Sequence, residues 1–168
     1  MTLMDPANSA VPTSGGTARW SRQIDAAARE TGVPAALIHA VMLQESGGNQ
    51  HARSPVGARG LMQFMPGTAA AMGINPDDPA QAIMGGARYL AQHYAKFGNW
   101  VDAIAAYNGG PGANKRSKDK GHEHQRLWQN PNNWKNADLS KPQGSSYGQT
   151  AHYVQTITNH LNNSQKRR

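Results

Sequence analysis

The sequence predicts a mainly α-helical protein. Apolar residues recur at helical spacing in several segments, and strand-like alternation of apolar and polar residues is almost absent. Glycine, proline or asparagine stands at most segment ends. With 168 residues, of which 38% are hydrophobic, the chain is long enough to bury about two-thirds of its unfolded surface. These observations favour one compact domain.

The first segment, residues 1–17, is rich in proline, serine, threonine, glycine and alanine, a composition typical of a flexible arm. It lacks a basic region followed by an apolar core, so no cleavable secretory signal is predicted, and no stretch of the sequence is predicted to span a membrane. The folded domain is expected over residues 18–163, and residues 164–168 are expected to form a basic tail.

Two helices are predicted at the start of the domain. The first covers residues 20–31, where apolar side chains keep helical spacing, and Gly32 is a typical stop. The second begins with Pro34 at its first position and runs through an apolar stretch to Glu45. A glycine-rich irregular segment is expected over residues 46–60.

Glu45 is the most informative residue of the sequence. It shares a helical stripe with Leu37 and Val41, so its carboxyl group is expected on the buried face. Gly47 and Gly48 mark the helix end, where backbone carbonyls carry partial negative charge. Burial and the helix dipole both raise the pKa expected for this carboxyl group, which suits a general acid near neutral pH. A surface glutamate at a frayed helix end is the alternative that position alone leaves open.

Next comes an apolar segment, residues 61–65, which Pro66 is expected to end. Residues 68–72 then predict a short helix that stops at Gly73.

The longest helix is predicted to start at the Asp-Pro pair of residues 78–79 and to end at Gly98. Asn99 is expected to cap a further helix over residues 100–107.

Residues 112–148 are polar and contain several prolines and glycines, so a long irregular insert is expected there. The final helix is predicted over residues 149–162, with Tyr153, Ile157 and Leu161 on one stripe.

Charge and cysteine content limit the classes of function. The formal net charge of +7 indicates a polyanionic partner, such as nucleic acid, an anionic membrane or the polymers of a bacterial wall. Basic residues are concentrated at residues 115–120 and 166–168, both expected to be solvated. The absence of cysteine excludes disulfides, a thiol nucleophile and a cysteine-ligated zinc site.

Four motifs occur in order: Glu45-Ser46, residues 54–66, residues 106–112 and residues 149–154. Together they resemble, in sequence and spacing, the catalytic domain of soluble lytic transglycosylases. The resemblance covers about residues 20–162. It implies a mainly α, lysozyme-like single domain with a substrate groove that accepts the glycan strands of peptidoglycan.

The family cleaves the β-1,4 bond between N-acetylmuramic acid and N-acetylglucosamine without consuming water. By resemblance, Glu45 is the one catalytic acid and base. It protonates the leaving oxygen and then removes the proton from the muramoyl C6 hydroxyl as that oxygen attacks C1, giving a 1,6-anhydromuramoyl end. No cofactor and no metal are implied. An ordinary glycosidase needs two carboxylates, and no second candidate is obvious among the three Glu and seven Asp of the chain.

The resemblance also implies six substrate-binding residues: Ser54, Met62, Gln63, Tyr107, Asn108 and Tyr153. In the first motifs, Ser54 would hydrogen-bond the substrate or the acid, Met62 would line the groove and Gln63 would offer its amide to a sugar. The alternatives for Ser54 and Met62 are a turn serine and an ordinary core residue.

In the later motifs, Tyr107 would supply an aromatic platform and Asn108 an amide for N-acetyl sugars. The hydroxyl group of Tyr153 would approach the acid and orient it. Their structural alternatives are a core tyrosine, a helix cap and a place in the apolar stripe of the last helix.

Two positions depart from the family pattern. Gly48 stands where relatives often carry an aromatic residue, which is expected to widen or loosen the groove. Gln149 replaces the usual glutamate before Thr150, which removes a charge near the start of the last helix.

Three other functions compete with this interpretation. A hydrolytic muramidase similar to goose-type lysozymes shares the fold and the glutamate but needs a positioned water. A non-catalytic wall-binding protein and a nucleic-acid-binding protein are more remote, since no nucleic-acid-binding fold accompanies the charge. Residues 109–115 lack the glycine of a phosphate loop, and residues 122–124 lack the spacing of a helical zinc pair.

Without a secretory signal, an enzyme that acts in the periplasm or cell wall needs another route to its substrate. Delivery in a phage virion is the favoured hypothesis, ahead of a specialised secretion system or a holin. Virion or secretion-machinery proteins are then the expected partners, and a monomer is expected in catalysis.

Overall fold

A computed structural model of the chain describes residues 16–134 and 147–165. The α-helices in these ranges are α1 (Ser21–Thr31), α2 (Ala35–Ser46), α3 (Pro66–Met72), α4 (Pro79–Phe97), α5 (Trp100–Gly109) and α6 (Tyr147–Gln165). Short 3₁₀ turns occur at Ala18–Trp20, Pro111–Asn114 and Pro131–Trp134. Strand-type pairing within the described ranges is limited to isolated bridges, so the mainly α prediction is confirmed.

The described residues divide into two compact units. The first contains residues 16–91 and 157–165, and the second contains residues 92–134 and 147–156. Helices α4 and α6 contribute residues to both units. The single folded domain expected over residues 18–163 stays a prediction.

Helix α2 forms the centre of the first unit. Residues 36–42 are all buried, and α1 packs against α2. A helix that is apolar on every side is typical of a position enclosed by other elements rather than on a surface. The apolar residues of α2 therefore surround the helix and are not confined to the predicted stripe of Leu37, Val41 and Glu45. After residue 42 the helix becomes partly exposed, beginning with Leu43.

Three glycines end the first helices as predicted. Gly32, Gly47 and Gly73 adopt φ angles of 74°, 61° and 65°, a left-handed conformation that glycine tolerates best. Pro66 ends the preceding segment as predicted, but the helix expected over residues 68–72 begins two residues earlier, because Pro66 is the first residue of α3. At that position the missing N–H group costs no hydrogen bond, and the fixed φ of proline already suits a helix.

Polar side chains begin α4 and α5, also as predicted. The backbone N–H of Gln81 donates to Asp78 Oδ1 at 2.9 Å. The backbone N–H of Asp102 donates to Asn99 Oδ1 at 2.9 Å. Each bond satisfies an N–H group that has no partner within its own helix.

The chain after α5 is more regular than the predicted insert. The N–H of Leu127 donates to the carbonyl of Lys115 at 2.8 Å, and the N–H of Ser117 donates to the carbonyl of Gln125 at 2.9 Å. These bonds close residues 115–127 into a hairpin-like loop. The rest of the insert, residues 135–146, lies outside the described residues, as do residues 1–15 of the arm and 166–168 of the tail.

Thr17, which was expected in the flexible arm, is buried. Its Oγ1 atom lies 2.5 Å from Nε2 of His39 on α2, a hydrogen-bonding distance. Burial, and to a lesser extent the charge of His160, lower the pKa of His39. The packed part of the chain thus includes Gly16 and Thr17.

His93 on α4 gives stability in the second unit a dependence on pH. Burial, with a smaller contribution from the charge of Lys96, lowers the pKa of His93 from 6.5 to about 4. Between these values the unfolded chain binds a proton that the folded chain does not, so stability present above pH 6.5 is lost as the pH falls.

When the pH is lowered from 7 to 5, we expect the titration of His93 alone to reduce the free energy of unfolding by about 2 kcal/mol. Urea denaturation at both pH values would measure this, with His93→Gln as the comparison because it lacks the titrating group. An equally large pH dependence in the variant would contradict the assignment.

Candidate functional site

Glu45 is the penultimate residue of α2, in the first unit. The residue is half-buried, and its Oε2 atom is buried. The helix ends immediately afterwards at Gly47, whose N–H donates to the carbonyl of Leu43 at 3.0 Å. The carboxyl group predicted from the apolar pattern therefore lies at the boundary between a buried helix and a turn.

Ser46 joins this helix end to the following loop. Its hydroxyl group is 2.8 Å from the carbonyl oxygen of Leu61 and 3.3 Å from that of Met42, and it accepts from the N–H of Gly48 at 3.2 Å. No separate role was predicted for Ser46, although its place beside the acid was a usable signal. Through Ser46, the backbone that carries Glu45 is held against the loop that carries Met62 and Gln63.

Gly48 is buried under residues 16–20, and the expectation of a wider or looser groove stays a prediction. Its carbonyl oxygen accepts from Trp20 Nε1 at 3.0 Å and lies 3.4 Å from Arg19 Nη2. A Cβ atom at Gly48 would lie 2.5 Å from the carbonyl oxygen of Gly16 and 3.1 Å from the Thr17 side chain. Atoms of Gly16 and Thr17 therefore fill the space beside the α-carbon of Gly48.

Ser54 begins a tight turn in the loop of residues 52–64. Its N–H donates to the carbonyl of Ala58 at 3.0 Å, and its Oγ accepts from the N–H of Ala58 at 2.9 Å. The turn-serine alternative thus describes its structural role. The side chain is half-buried, and its hydroxyl hydrogen can still be donated to another group.

Met62 and Gln63 are adjacent but differ in exposure. Met62 is fully buried in the apolar core of the first unit, which favours the core alternative, and its part in lining a groove stays a prediction. Gln63 is half-buried, and its Nε2 donates to the carbonyls of Ala52 at 3.1 Å and Gly60 at 2.9 Å. Because both amide hydrogens are used within the loop, only Oε1 of this amide is suited to a sugar hydroxyl.

The backbone of Gln63 is strained. Its φ of 50° makes it the one non-glycine residue with positive φ in the described part of the chain. Such conformations persist where the surroundings fix them, and they cluster at functional sites. The two side-chain bonds to Ala52 and Gly60 supply that constraint.

Asp77, which follows α3, contacts two arginine side chains of the same loop. It forms an ion pair with Arg59, and Arg53 lies 3.8 Å away. Arg59 also pairs through its backbone with Arg53 and Phe64. Since these side chains are substantially exposed, the pair orders the loop more than it stabilises the fold.

The remaining predicted residues lie in the second unit. Tyr107 and Asn108 are half-buried near the end of α5. The hydroxyl of Thr150 on α6 donates to Asn108 Oδ1 at 3.0 Å, and a Cβ at Gly109 would lie 2.5 Å from that hydroxyl oxygen. Thr150 is fully buried, so its hydroxyl group holds the Asn108 amide from the interior of the second unit. Thr150 belongs to the motif of residues 149–154, but no role was predicted for it.

Tyr153 is buried on α6, as are Ile157 and Leu161. The predicted apolar stripe is confirmed. The expected approach of the Tyr153 hydroxyl group to Glu45 stays a prediction. Trp128 is also buried, and its Nε1 donates to Asn114 Oδ1 at 3.0 Å, so it packs within the second unit.

Several other carboxylates in the described ranges have structural partners. Glu30 pairs with Arg88 at 2.5 Å, and Asp102 pairs with Arg126 at 3.1 Å. The exposed Glu123 is held ionised, because hydrogen bonds from its own backbone and that of Gly121 lower its pKa. None of these groups resembles the half-buried acid at Glu45.

Groups of three or more histidine and acidic residues that could hold a metal ion are absent from residues 16–134 and 147–165. No helix within these ranges has the length and apolarity needed to cross a membrane.

The chain is similar in sequence to known transglycosylases. The family model described as "Transglycosylase SLT domain" matches residues 22–129. The chain is 38% identical over 117 residues to a membrane-bound lytic murein transglycosylase F of Alkalilimnicola ehrlichii, a match that covers 62% of this chain and 26% of the relative. It is 39% identical over 109 residues to a transglycosylase of Enterobacteria phage PRD1, covering 64% of this chain and 41% of the relative.

Solved structures agree with the sequence matches. An inactive mutant of the lytic transglycosylase Slt from Pseudomonas aeruginosa aligns with a TM-score of 0.59 and 30% identity, covering 86% of this chain and 24% of that chain. This likeness confirms the predicted lysozyme-like class of fold. The chain therefore spans less than half the length of each of these relatives.

Proposed function

The chain belongs to the transglycosylase SLT domain family, and from this premise we propose that it is a peptidoglycan lytic transglycosylase. Its substrate is the glycan strand of the bacterial wall, and its product carries a 1,6-anhydromuramoyl end. The local opening of the cell wall follows from this cleavage.

The observation that carries the proposal is the setting of Glu45. One of its carboxyl oxygens is buried at the end of an enclosed helix, and Ser46 ties that helix end to the loop of Ser54 and Gln63. Burial and a helix C-terminus both favour the protonated form of a carboxyl group. Such a group can donate a proton to a glycosidic oxygen.

One carboxyl group is sufficient for the reaction. Glu45 donates its proton to the leaving oxygen as the bond to C1 breaks. The resulting carboxylate then accepts the proton of the muramoyl C6 hydroxyl while O6 bonds to C1. Glu45 ends protonated, as it began, and no water is consumed.

Absence of a suitable second carboxylate in the described ranges favours this route over hydrolysis. A hydrolase needs another carboxylate to hold a water or to form a covalent intermediate. Here Glu30, Asp77 and Asp102 are engaged in ion pairs, and Asp78 caps α4.

Digestion of purified sacculi tests the proposal. We expect soluble fragments whose muramic ends resist borohydride reduction, because the anhydro end has no free aldehyde. Reducible muramic ends would support the hydrolytic muramidase, and no solubilisation would support a wall-binding protein.

Residues of the second unit are proposed to bind the N-acetyl groups of the strand. Tyr107 offers a half-exposed ring and Asn108 an amide whose Oδ1 is already bonded to Thr150. The Nδ2 hydrogens of Asn108 are then the groups suited to an acetamido carbonyl.

Thr150 provides a test of this role for Asn108. Thr150→Val keeps the side-chain volume but removes the hydroxyl donor, whereas Thr150→Ser keeps the donor. Loss of a hydrogen bond of about 1 kcal/mol predicts a roughly fivefold rise in KM for Thr150→Val, with little change in kcat. Thr150→Ser should retain the KM of the wild type.

Steady-state digestion of soluble glycan strands, together with thermal melting of both variants, checks this prediction. A fall in kcat without a change in KM would show that Thr150 acts elsewhere than on substrate binding.

Delivery by a phage virion remains the favoured setting. The 39% identity to the PRD1 transglycosylase supports it. Immunoblotting of purified virions and of host periplasm checks this hypothesis. Detection in the host cytosol alone would contradict delivery by a virion, a secretion system or a holin.

A further inference from the structure

A short cationic surface lies in the second unit and has no role in the proposed reaction. We define the basic loop as residues 115–124, between the 3₁₀ turn Pro111–Asn114 and the chain that returns to Trp128. Lys115, Arg116, Lys118 and Lys120 are all exposed on it. No salt bridge to another described residue engages any of these four side chains.

The backbone of this loop is held at both ends. Backbone hydrogen bonds join Lys115 to Leu127 and Ser117 to Gln125 at the base of the loop. The backbones of Arg116 and Arg126 form an isolated antiparallel bridge between these two bonds. A loop closed in this way presents its side chains with less conformational freedom than a mobile tail of the same composition.

Buried polar groups fix the loop to α5. Arg126 pairs at 3.1 Å with Asp102, whose side chain is only 7% exposed. Nδ2 of Asn114 donates to the carbonyl of Asp102 at 2.7 Å, so the turn before the loop is bonded to the same residue. The fully buried Asn130 donates to Ser117 Oγ at 2.9 Å and to Asp119 Oδ2 at 2.8 Å.

This network also arranges the charge of the loop. Arg126 is used in the internal ion pair with Asp102, and Asp119 is held by Asn130. The exposed lysines and Arg116 therefore project positive charge outward from an ordered base. Such an arrangement is suited to an anionic partner.

The loop begins close to the proposed sugar-binding residues. Lys115 follows Asn108 by seven residues, and the intervening turn Pro111–Asn114 packs against α5. A 3₁₀ turn advances only about 2 Å per residue. A stem peptide of four or five residues on a muramic acid can extend roughly 14–17 Å. This length is comparable with the greatest span of the seven residues from Asn108 to Lys115, so we expect its carboxylates to reach the basic loop while the sugar is held at Asn108.

We propose that the basic loop binds the stem-peptide carboxylates of peptidoglycan, so that the protein prefers glycan strands that carry peptides. This inference rests on the proposed cleavage of the glycan strand. It gives the charged insert a part in substrate selection.

Neutralising the loop tests the inference. The variant K115Q/K118Q/K120Q should show a roughly 3- to 10-fold higher apparent KM on sacculi that carry stem peptides and no teichoic acid, since exposed ion pairs are individually weak. On glycan strands freed of peptides by an amidase, the variant and the wild type should be equal. The difference on sacculi should shrink as salt is added.

A matched control removes three exposed charges elsewhere. The variant R22Q/R29Q/K96Q changes α1 and the end of α4, and it should keep the wild-type KM on both substrates. Equal loss in the two triple variants would assign the effect to net charge and overturn the inference.

Three other results would also overturn it. The first is an unchanged KM of the loop variant on peptide-bearing sacculi, and the second is an equal rise on stripped strands. The third is an effect confined to walls that retain phosphate polymers, which would assign the loop to phosphate. If the wild type itself releases nothing from either substrate, the proposed cleavage fails first, and the inference falls with it.

Discussion

Glu45→Gln is expected to reduce cleavage of purified sacculi by at least about 10²- to 10⁴-fold, the range attributed to a positioned general acid. The amide is almost isosteric with the carboxylic acid, so the packing around the end of α2 is retained. It can neither donate a proton to the glycosidic oxygen nor accept one from the C6 hydroxyl. Both halves of the proposed reaction therefore fail together. Release of soluble muropeptides per unit time is the measurement.

Glu30→Gln is the matched control, because it makes the same chemical change at an exposed glutamate paired with Arg88. Full activity is expected from it. Sedimentation with sacculi should show that Glu45→Gln still binds the wall. Unchanged cleavage by Glu45→Gln would remove Glu45 from the chemistry and require another acid.

Gly60→Ala is expected to destabilise the first unit by at least about 3 kcal/mol, since overpacking and a disfavoured backbone conformation add. Gly60 has a φ of 78°, and a Cβ there would lie 2.0 Å from the carbonyl oxygen of Pro76. Either that backbone or the loop of residues 52–64 must move to admit the methyl group. The same loop carries Ser54 and Gln63, so activity should fall with stability.

Gly57→Ala separates the two causes. Gly57 lies in the same loop with a φ of 96°, but nothing lies within 4 Å of the position of its Cβ. The Gly57→Ala variant should lose only about 1 kcal/mol of unfolding free energy, because backbone strain is the single cause that remains. Urea denaturation of both variants gives the comparison. Equal stability losses would mean that contact with Pro76 does not restrict position 60.

Helix ends were the features that the sequence predicted best. Gly32 and Gly47 supply left-handed stops, and Asp78 and Asn99 accept from backbone N–H groups. These signals are local, because each residue type answers a requirement of the few residues beside it. The start of α3 was predicted two residues late, because proline can end one segment and also occupy the first position of the next helix.

Features that depend on residues distant in sequence could not be predicted in the same way. Met62 looked like a groove residue by resemblance, but the first unit encloses it completely. The insert looked irregular because the bonds that order it join positions such as Asn114 to Trp128 and Ser117 to Asn130. The packing of residues 16–20 over Gly48 was not predicted either. Local pattern does not encode such packing.

Digestion of sacculi in water enriched in heavy oxygen, followed by mass spectrometry of the released muropeptides, tests the central claim most directly. The account predicts muramic ends that are one water lighter than hydrolytic products and carry no heavy oxygen, because the C6 hydroxyl is the nucleophile. Muramic ends that retain a full water and carry the heavy isotope would contradict it, and would identify a hydrolase.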